Sequence, residues 1–216
     1  MSSSERIDIE QSAQSRNENV AEENRQVFRQ AGVTVMNMIG SPGCGKTSIL
    51  EYTAGHFDGT FAAIIGDVET ALDSERLSRT GVRAVPIETG GSCHLTAEMV
   101  RDAAQDLNLE EIDFLFVENV GNLVCPSTFD LGEEFKVAVV SLPEGEDKVR
   151  KYPALFVRAK VVLLNKMDLA EVCGIDTRRV KEDCRSLRND VKVLETSAKT
   201  GDGFEEWFDF LRGCRA

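Results

Sequence analysis

The clearest chemical pattern in the chain is G-x-x-x-x-G-K-[ST], the form of a phosphate-binding loop. The residues that match it are Gly40, Ser41, Pro42, Gly43, Cys44, Gly45, Lys46 and Thr47, with Ser48 directly after them. Glycines let successive backbone N–H groups face an anion, the lysine reaches the β- and γ-phosphates, and the threonine hydroxyl holds Mg²⁺. We therefore predict that this segment binds a nucleoside triphosphate together with Mg²⁺.

Two later tetrapeptides indicate which base is bound. Asn165-Lys166-Met167-Asp168 and Thr196-Ser197-Ala198-Lys199 each follow a short apolar run. The Asp168 carboxylate can accept from the N1–H and the exocyclic amine of guanine, whereas adenine would leave this acceptor unpaired. We predict GTP and GDP as ligands, with base contacts from Asn165, Lys166, Asp168, Ser197, Ala198 and Lys199. Alternatively, Asp168 only caps a helix in an ordinary strand-to-helix turn.

Two carboxylates at predicted strand ends are candidates for the chemistry of hydrolysis. Asp67 follows one apolar strand and could hold Mg²⁺ or orient the attacking water, and Glu118 ends another. We predict Lys46, Asp67 and Glu118 as catalytic residues, and Thr47, Asp67 and Glu118 as Mg²⁺ ligands. Either carboxylate could instead be a helix cap or a turn residue. Glu118-Asn119-Val120-Gly121 replaces the Asp-x-x-Gly pattern of regulatory GTPases, so their mechanism cannot be transferred directly.

A second possible metal site involves two cysteines and a histidine. Cys93 and His94 are adjacent after a glycine-rich turn, and Cys125 lies in another loop that follows a strand. Thiolate and imidazole are ligands for Zn²⁺ and Ni²⁺, and three of them form an incomplete tetrahedral set that a second copy of the chain could complete. The alternative is structural, with Cys93 capping a helix and Cys125 buried in its loop.

The hydrophobic pattern predicts the elements that must position these residues. Nearly continuous apolar runs predict buried strands at Val33–Ile39, Phe61–Ile65, Arg83–Ile87, Phe114–Val117, Lys136–Ser141, Val161–Leu164 and Val191–Leu194. Between them, helices are predicted at Thr47–Phe57, Ala71–Thr80, His94–Leu107, Asp147–Leu155, Asp176–Leu187 and Gly203–Leu211. The alternation predicts an α/β P-loop NTPase fold, a doubly wound and mainly parallel sheet of about seven strands with helices on both faces.

Length and charge limit the remaining possibilities. We predict a flexible polar N-terminus at residues 1–17 and a GTPase domain at 18–216, which begins with a lead-in helix Glu18–Ala31. The net charge of −12 disfavours nucleic-acid partners and attraction to anionic membranes. No apolar run is long enough to span a bilayer and no signal peptide is recognisable, so we expect a cytoplasmic protein. The six cysteines are expected to be free thiols or metal ligands.

Residues 17–213, which contain these motifs, resemble the HypB family, GTPases of the SIMIBI class that help to insert nickel into [NiFe] hydrogenase. The resemblance rests on the phosphate-binding loop and on several further segments. These are Gly66-Asp67 followed by Thr70, Asp73 and Arg76; Gly91-Ser92-Cys93-His94-Leu95; Glu118-Asn119-Val120-Gly121-Asn122-Leu123-Val124-Cys125-Pro126; and Pro143-Glu144-Gly145-Glu146-Asp147-Lys148.

The resemblance implies a GTP- and metal-promoted homodimer whose interface metal site uses Cys93, His94 and Cys125. It also implies slow GTP hydrolysis and nickel transfer from a partner chaperone, HypA, to the hydrogenase large subunit. Residues 1–30 lack the Cys-x-x-Cys-Gly-Cys motif and the His-rich tract of many family members, which argues against nickel storage. Two alternatives stay open: a urease-accessory GTPase, although that family carries a Cys-Pro-His tripeptide, and a GTP-gated metal carrier with incidental hydrolysis.

Overall fold

In the computed structural model, residues 3–67 and 72–215 are described, with side chains from residue 14 onward except that of Asp67. Within these residues, seven strands form one parallel sheet in the order β3-β2-β4-β1-β5-β6-β7. The strands are β1 Thr34–Gly40, β2 Phe61–Asp67, β3 Arg83–Glu88, β4 Phe114–Glu118, β5 Phe135–Ser141, β6 Ala159–Asn165 and β7 Lys192–Glu195. The predicted fold class, a doubly wound parallel sheet, is confirmed.

Helices connect the strands and cover both faces of the sheet. Those of the described segments are α1 Ser3–Ala31, α2 Lys46–His56, α3 Leu72–Ser78, α4 Ala97–Ala104, α5 Cys125–Thr128, α6 Lys148–Lys151, α7 Pro153–Arg158, α8 Ala170–Cys173, α9 Thr177–Leu187 and α10 Phe204–Arg212. Short 3₁₀ turns span Leu109–Glu111, Leu142–Glu144 and Met167–Leu169. Across residues 3–67 and 72–215, no helix combines the length and apolarity needed to cross a membrane.

Strand β4 illustrates how alternating side chains build the two faces of the core. Phe114 and Phe116 belong to the buried cluster formed with α2 and α10, which contribute Ile49 and Trp207. Leu115 and Val117 belong to the opposite cluster, with Phe28 of α1 and Val100 of α4. Because side chains alternate along a strand, residues at the end of β4 are also directed to opposite faces.

Strand order explains why the loops with chemical motifs lie together. Strand β4 pairs with β1 on one side and with β2 on the other, and β1 also pairs with β5. In a parallel sheet all carboxyl ends lie at one edge, and ligands bind there where the direction of strand succession reverses. The loop after β1 therefore lies between the loops after β4 and β5.

The predicted helix His94–Leu107 begins too early. In the structure α4 starts at Ala97, because the Thr96 side chain accepts a hydrogen bond from the Met99 backbone N–H at 3.3 Å and so acts as the N-cap. His94 is left outside the helix, in the turn that contains Cys93.

Two further differences have local causes. The predicted helix Asp147–Leu155 is wrong as a single element, because Pro153 lacks a backbone N–H and separates α6 from α7. The segment that contains Cys125, predicted as a loop, includes the short helix α5, with Pro126 in its first turn, where proline is tolerated.

The N-terminal helix is longer than predicted, since α1 begins at Ser3 rather than near Glu18. Asn17 fixes this part of α1 to the domain. Its amide donates to the Asp130 carbonyl at 2.8 Å, and its side-chain oxygen accepts from the Ala97 N–H at 2.9 Å. Flexibility of residues 1–17 stays a prediction.

Candidate nucleotide and metal sites

The loop between β1 and α2 has the backbone of an anion cradle. Gly45, at the N-cap position of α2, has φ 100°, a conformation that favours glycine. A Cβ at this position would lie 2.4 Å from the Asn165 amide nitrogen, so the loop approaches β6 closely. Cys44 is fully buried and burial raises its pKa to about 11, which makes this thiol a packing residue.

Lys46, Thr47 and Glu118 form a buried polar group beside this loop. The Thr47 hydroxyl donates to Glu118 Oε1 at 3.0 Å, and Lys46 Nζ lies 3.8 Å from the same oxygen. Each of the three residues is at most 6% exposed. Glu118 Oε2 is buried with no hydrogen-bond partner. An acceptor of this kind beside a threonine hydroxyl fits a Mg²⁺ ion, which prefers oxygen ligands.

Burial also changes the protonation of Glu118. Desolvation raises the pKa of this carboxyl to about 7, although the charge of Lys46 and the hydrogen bond from Thr47 oppose the change. The side chain is therefore balanced between its neutral and ionised forms near neutral pH. A divalent cation bound to it would favour the ionised form.

A cavity of about 380 Å³ opens above the phosphate-binding loop. Besides the loop itself, the cavity is lined by Gly66, Asp73, Arg76, Lys166 and the segment Glu118–Gly121. Arg76 forms ion pairs with Glu51 at 2.5 Å and with Asp73 at 3.1 Å. Arg76 belongs to one of the segments that carry the family resemblance, but no role was assigned to it from the sequence. In the structure this cationic residue borders the phosphate cavity.

A second cavity, of about 290 Å³, adjoins the first and shares Gly45, Ser48 and Lys166 with it. Its remaining lining residues are Asn165, Asp168, Leu169, Ala198 and Lys199, so the two tetrapeptides from different strand ends meet here. A volume of this kind beside a phosphate cradle fits a flat, aromatic base.

Hydrogen bonds hold the walls of this second cavity. The Asn165 amide donates to the Cys44 carbonyl at 3.0 Å, and its oxygen accepts from the Ala198 N–H at 3.2 Å. The Ser197 hydroxyl donates to Asp168 Oδ1 at 2.7 Å, and Lys199 Nζ lies 3.7 Å from Oδ2. Asp168 does not cap a helix, contrary to the alternative interpretation, because it lies inside the 3₁₀ turn Met167–Leu169.

Lys166 has a backbone conformation that the sequence did not reveal. Its φ is +65°, and it is the one non-glycine residue of the described segments with positive φ. Its ammonium donates to the Gly43 carbonyl at 2.6 Å. Backbone strain of this type is concentrated at ligand sites, and here it bends the lysine across the phosphate-binding loop.

Cys93, His94 and Cys125 converge on one point, as the sequence suggested. Their ligand atoms all lie within 4.8 Å of one another, and Cys93 Sγ is 3.5 Å from His94 Nδ1. Cys93 is exposed, whereas the other two are partly buried. Two thiols and an imidazole at this spacing fit Ni²⁺ or Zn²⁺.

Neighbouring residues fix the orientation of this triad. The Phe129 ring packs on the His94 ring with centroids 3.8 Å apart, and the Asn122 amide donates to the Cys93 carbonyl at 3.2 Å. The hydrogen bond with the Cys125 thiol raises the pKa of Cys93, and burial lowers the pKa of His94. Because metal binding requires thiolates, it must release protons.

Asp67 is the one predicted site residue whose side chain lies outside the described part. Its backbone ends β2 beside Glu88 of β3, at the edge of the sheet that carries the phosphate cavity. Thr70, which the sequence motif included, lies outside the described residues.

Comparisons with known proteins give consistent matches over most of the chain. The family model described as CobW/HypB/UreG, nucleotide-binding domain, matches residues 34–195. The probable hydrogenase maturation factor HypB of Methanocaldococcus jannaschii is 38% identical and covers 95% of this chain, which in turn covers 94% of that protein. The hydrogenase maturation factor HypB of Escherichia coli is 40% identical, with 100% of this chain and 75% of that protein covered.

A solved structure agrees with these sequence matches. The crystal structure of HypB from Helicobacter pylori in complex with nickel superposes with a TM-score of 0.89 and 40% identity. The match covers 92% of this chain and 94% of that chain.

Proposed function

Because this chain belongs to the HypB family of hydrogenase maturation factors, we propose that it is a GTPase that couples GTP binding and hydrolysis, through homodimerisation, to nickel delivery. The recipient would be a [NiFe] hydrogenase large subunit, and a nickel chaperone of the HypA type would supply the metal. The observation that carries the proposal is the approach of Cys93, His94 and Cys125 to within 4.8 Å, on the loops that follow two strands of the nucleotide-binding edge.

The two adjoining cavities support the choice of GTP. Backbone N–H groups of Gly43 to Thr47, together with the Lys46 ammonium, would neutralise the phosphates. The Asp168 carboxylate, oriented by the Ser197 hydroxyl at 2.7 Å, would accept from N1–H and the exocyclic amine of guanine. The neutral acceptor edge of adenine would leave this carboxylate unpaired, which selects against ATP.

Hydrolysis would depend on Lys46, Asp67 and Glu118. Mg²⁺, when bound, supplies charge neutralisation for the transferred phosphoryl group. Thr47 and Glu118 would hold it directly or through water, and Asp67 would approach the same region from the end of β2. Lys46 would lie beside the β- and γ-phosphates and would stabilise the negative charge that develops there.

The metal ligands favour a site shared between two copies of the chain. Three ligands leave one tetrahedral position open, and Cys93 is exposed at the surface. Val124, next to Cys125, is an exposed apolar residue with 57% of its area accessible. A two-fold axis beside this loop would bring a second set of ligands to the metal and bury Val124 against its symmetry mate.

Metal analysis combined with mass measurement tests the proposal. Protein loaded with Ni²⁺ is compared in GDP and in a non-hydrolysable GTP analogue, and we expect higher metal retention and a larger dimer fraction with the analogue. GTP hydrolysis is measured in parallel, and the wild-type protein should release phosphate from GTP faster than the Lys46→Ala control. Binding of both ligands without turnover would identify a nucleotide-gated carrier instead. If the protein retains the same amount of Ni²⁺ with GDP as with the GTP analogue, the proposed coupling is refuted.

A further inference from the structure

One short segment touches both the nucleotide cavity and the metal triad. This connecting segment, residues 118–125, begins at Glu118 and ends at Cys125. Glu118 accepts from Thr47 at 3.0 Å. Gly121 lies against the phosphate-binding loop, where a Cβ would come within 2.7 Å of Pro42 Cγ and 3.0 Å of its backbone nitrogen. The start and middle of the segment are therefore packed on the nucleotide site, and its end carries a metal ligand.

Asn119 links this segment to the loop that carries the other two ligands. Its side-chain oxygen accepts from the Leu95 N–H at 3.1 Å and from the Val120 N–H at 3.0 Å. Its amide donates to Asn37 Oδ1 at 3.1 Å, and the residue is 1% exposed. Leu95 directly follows His94. The buried Asn119 side chain therefore holds the backbone of Leu95, the residue next to the metal ligand His94.

The Asn119 amide donates to a residue of β1, the central strand of the sheet. Asn37 is a fully buried polar residue in β1 and donates to Glu133 at 3.3 Å. Glu133 in turn accepts from the Leu131 N–H at 2.7 Å. A buried polar side chain is stable only when it is hydrogen-bonded. The bonds among Asn119, Asn37 and Glu133 therefore hold these side chains in one arrangement.

Alternation along the chain gives Glu118 and Asn119 different neighbours. Glu118 is directed to the face of Phe116, where it meets Lys46 and Thr47. Asn119 is directed to the face of Val117, where it meets Leu95. Because the two residues share a peptide bond, a backbone shift of Glu118 at the nucleotide site would also move Asn119.

We propose that Asn119 is a positioning residue through which the nucleotide state sets the geometry of the Cys93–His94 pair. The inference rests on the proposed function, because it supplies a route for the coupling of GTP and metal. The exposed hydrogen bond from Asn122 to the Cys93 carbonyl is a second contact between the same loops. Water can replace that bond, whereas a broken bond at buried Asn119 leaves the Leu95 N–H without a partner.

The test compares Asn119→Ala with a matched control, Asn17→Ala. Asn17 is also a buried amide, and it accepts from the Ala97 N–H, two residues beyond Leu95. It belongs to α1, and its other partner is the Asp130 carbonyl, which lies outside the connecting segment. For each protein, Ni²⁺ dissociation constants are measured by titration in GDP and in a non-hydrolysable GTP analogue. The ratio of the two constants is the coupling factor, and the Ni–thiolate absorption spectrum reports ligand geometry in each state.

We expect a coupling factor of at least about fivefold in wild type and in Asn17→Ala, and of less than about twofold in Asn119→Ala. The effect of Ni²⁺ on affinity for the GTP analogue must fall by the same factor, because coupling is reciprocal. The nickel spectrum of Asn119→Ala should be the same in both nucleotides. If Asn119→Ala does not fold, Asn119→Ser replaces it, since a serine hydroxyl serves the Val120 N–H but is too short to reach Leu95.

Each other result overturns a specific statement. An Asn119 variant that couples as strongly as wild type refutes the role of Asn119 and leaves the proposed function intact. Loss of coupling in Asn17→Ala as well would show that any loosening near α4 has this effect, and the assignment to Asn119 would be wrong. A wild-type protein without coupling would refute the proposed function and this inference together.

Discussion

Replacing Glu118 by glutamine should alter how the stability of the protein depends on pH. The carboxyl is 4% exposed, one of its oxygens has no partner, and burial raises its pKa from 4.5 to about 7. Between these two values the folded state retains a proton that the unfolded state has lost. Stability of the wild type therefore falls as pH rises from about 4.5 to about 7, and levels off above that range.

The size of the effect follows from the same two pKa values. A difference of about 2.5 units at about 1.36 kcal/mol per unit corresponds to roughly 3 kcal/mol in the free energy of unfolding. Glutamine has the same shape, stays neutral, and its oxygen can still accept from Thr47. We expect Glu118→Gln to be less than about 1 kcal/mol more stable than wild type near pH 5 and about 3 kcal/mol more stable near pH 8.

The free energy of unfolding of both proteins is measured by urea titration at several pH values between about 5 and about 8. Nucleotide and metal are removed beforehand. Glu88→Gln is the control, because Glu88 is an exposed carboxylate at the end of β3. It removes the same charge without changing a buried group. If the stability curves of wild type and Glu118→Gln stay parallel over this range, the buried carboxyl is not held neutral and the reasoning fails.

The remaining predictions concern binding. Lys46→Ala should weaken GTP binding roughly 100-fold, measured by calorimetry, because a buried charge on the phosphates is lost; unchanged affinity in a folded variant would contradict the site. Asp168→Asn should weaken GTP binding about 10- to 100-fold and favour xanthosine triphosphate in competition, since an amide can donate to the xanthine oxygen; an unaltered ranking of nucleotides would exclude a base contact. Cys125→Ala should abolish metal-promoted dimerisation in equilibrium sedimentation, whereas Cys173→Ala, which removes a partly buried thiol outside the triad, should not; dimerisation of Cys125→Ala at the wild-type metal concentration would rule out a bridged site.

Much of the nucleotide site could be predicted from the sequence because its determinants are local. The phosphate-binding loop is one continuous segment whose glycines and adjoining helix make the anion cradle by themselves. The Asp168 segment directly follows β6, so its place at the sheet edge follows from the apolar run before it. The family resemblance had the same origin, since its motifs are continuous stretches of chain.

Element boundaries were less predictable where one side chain decided between two backbone states. Hydrophobic periodicity continued from His94 into α4, but the Thr96 hydroxyl caps the N-terminus of the helix, which begins at Ala97 and leaves the metal ligand His94 outside it. The break at Pro153 followed from the missing N–H of a single residue inside an otherwise helical pattern.

Contacts between distant segments depended on strand order, which periodicity does not encode. Because β4 inserts between β2 and β1, Glu118 meets Thr47, and the Asn119 amide meets both Asn37 and Leu95. Any permutation of the strands would give the same alternation of apolar runs along the sequence. The chemistry that each loop carries could therefore be predicted from its residue types. Which loops share a site depends on the order of the strands, because hydrogen bonds between strands join segments that have no fixed distance along the chain.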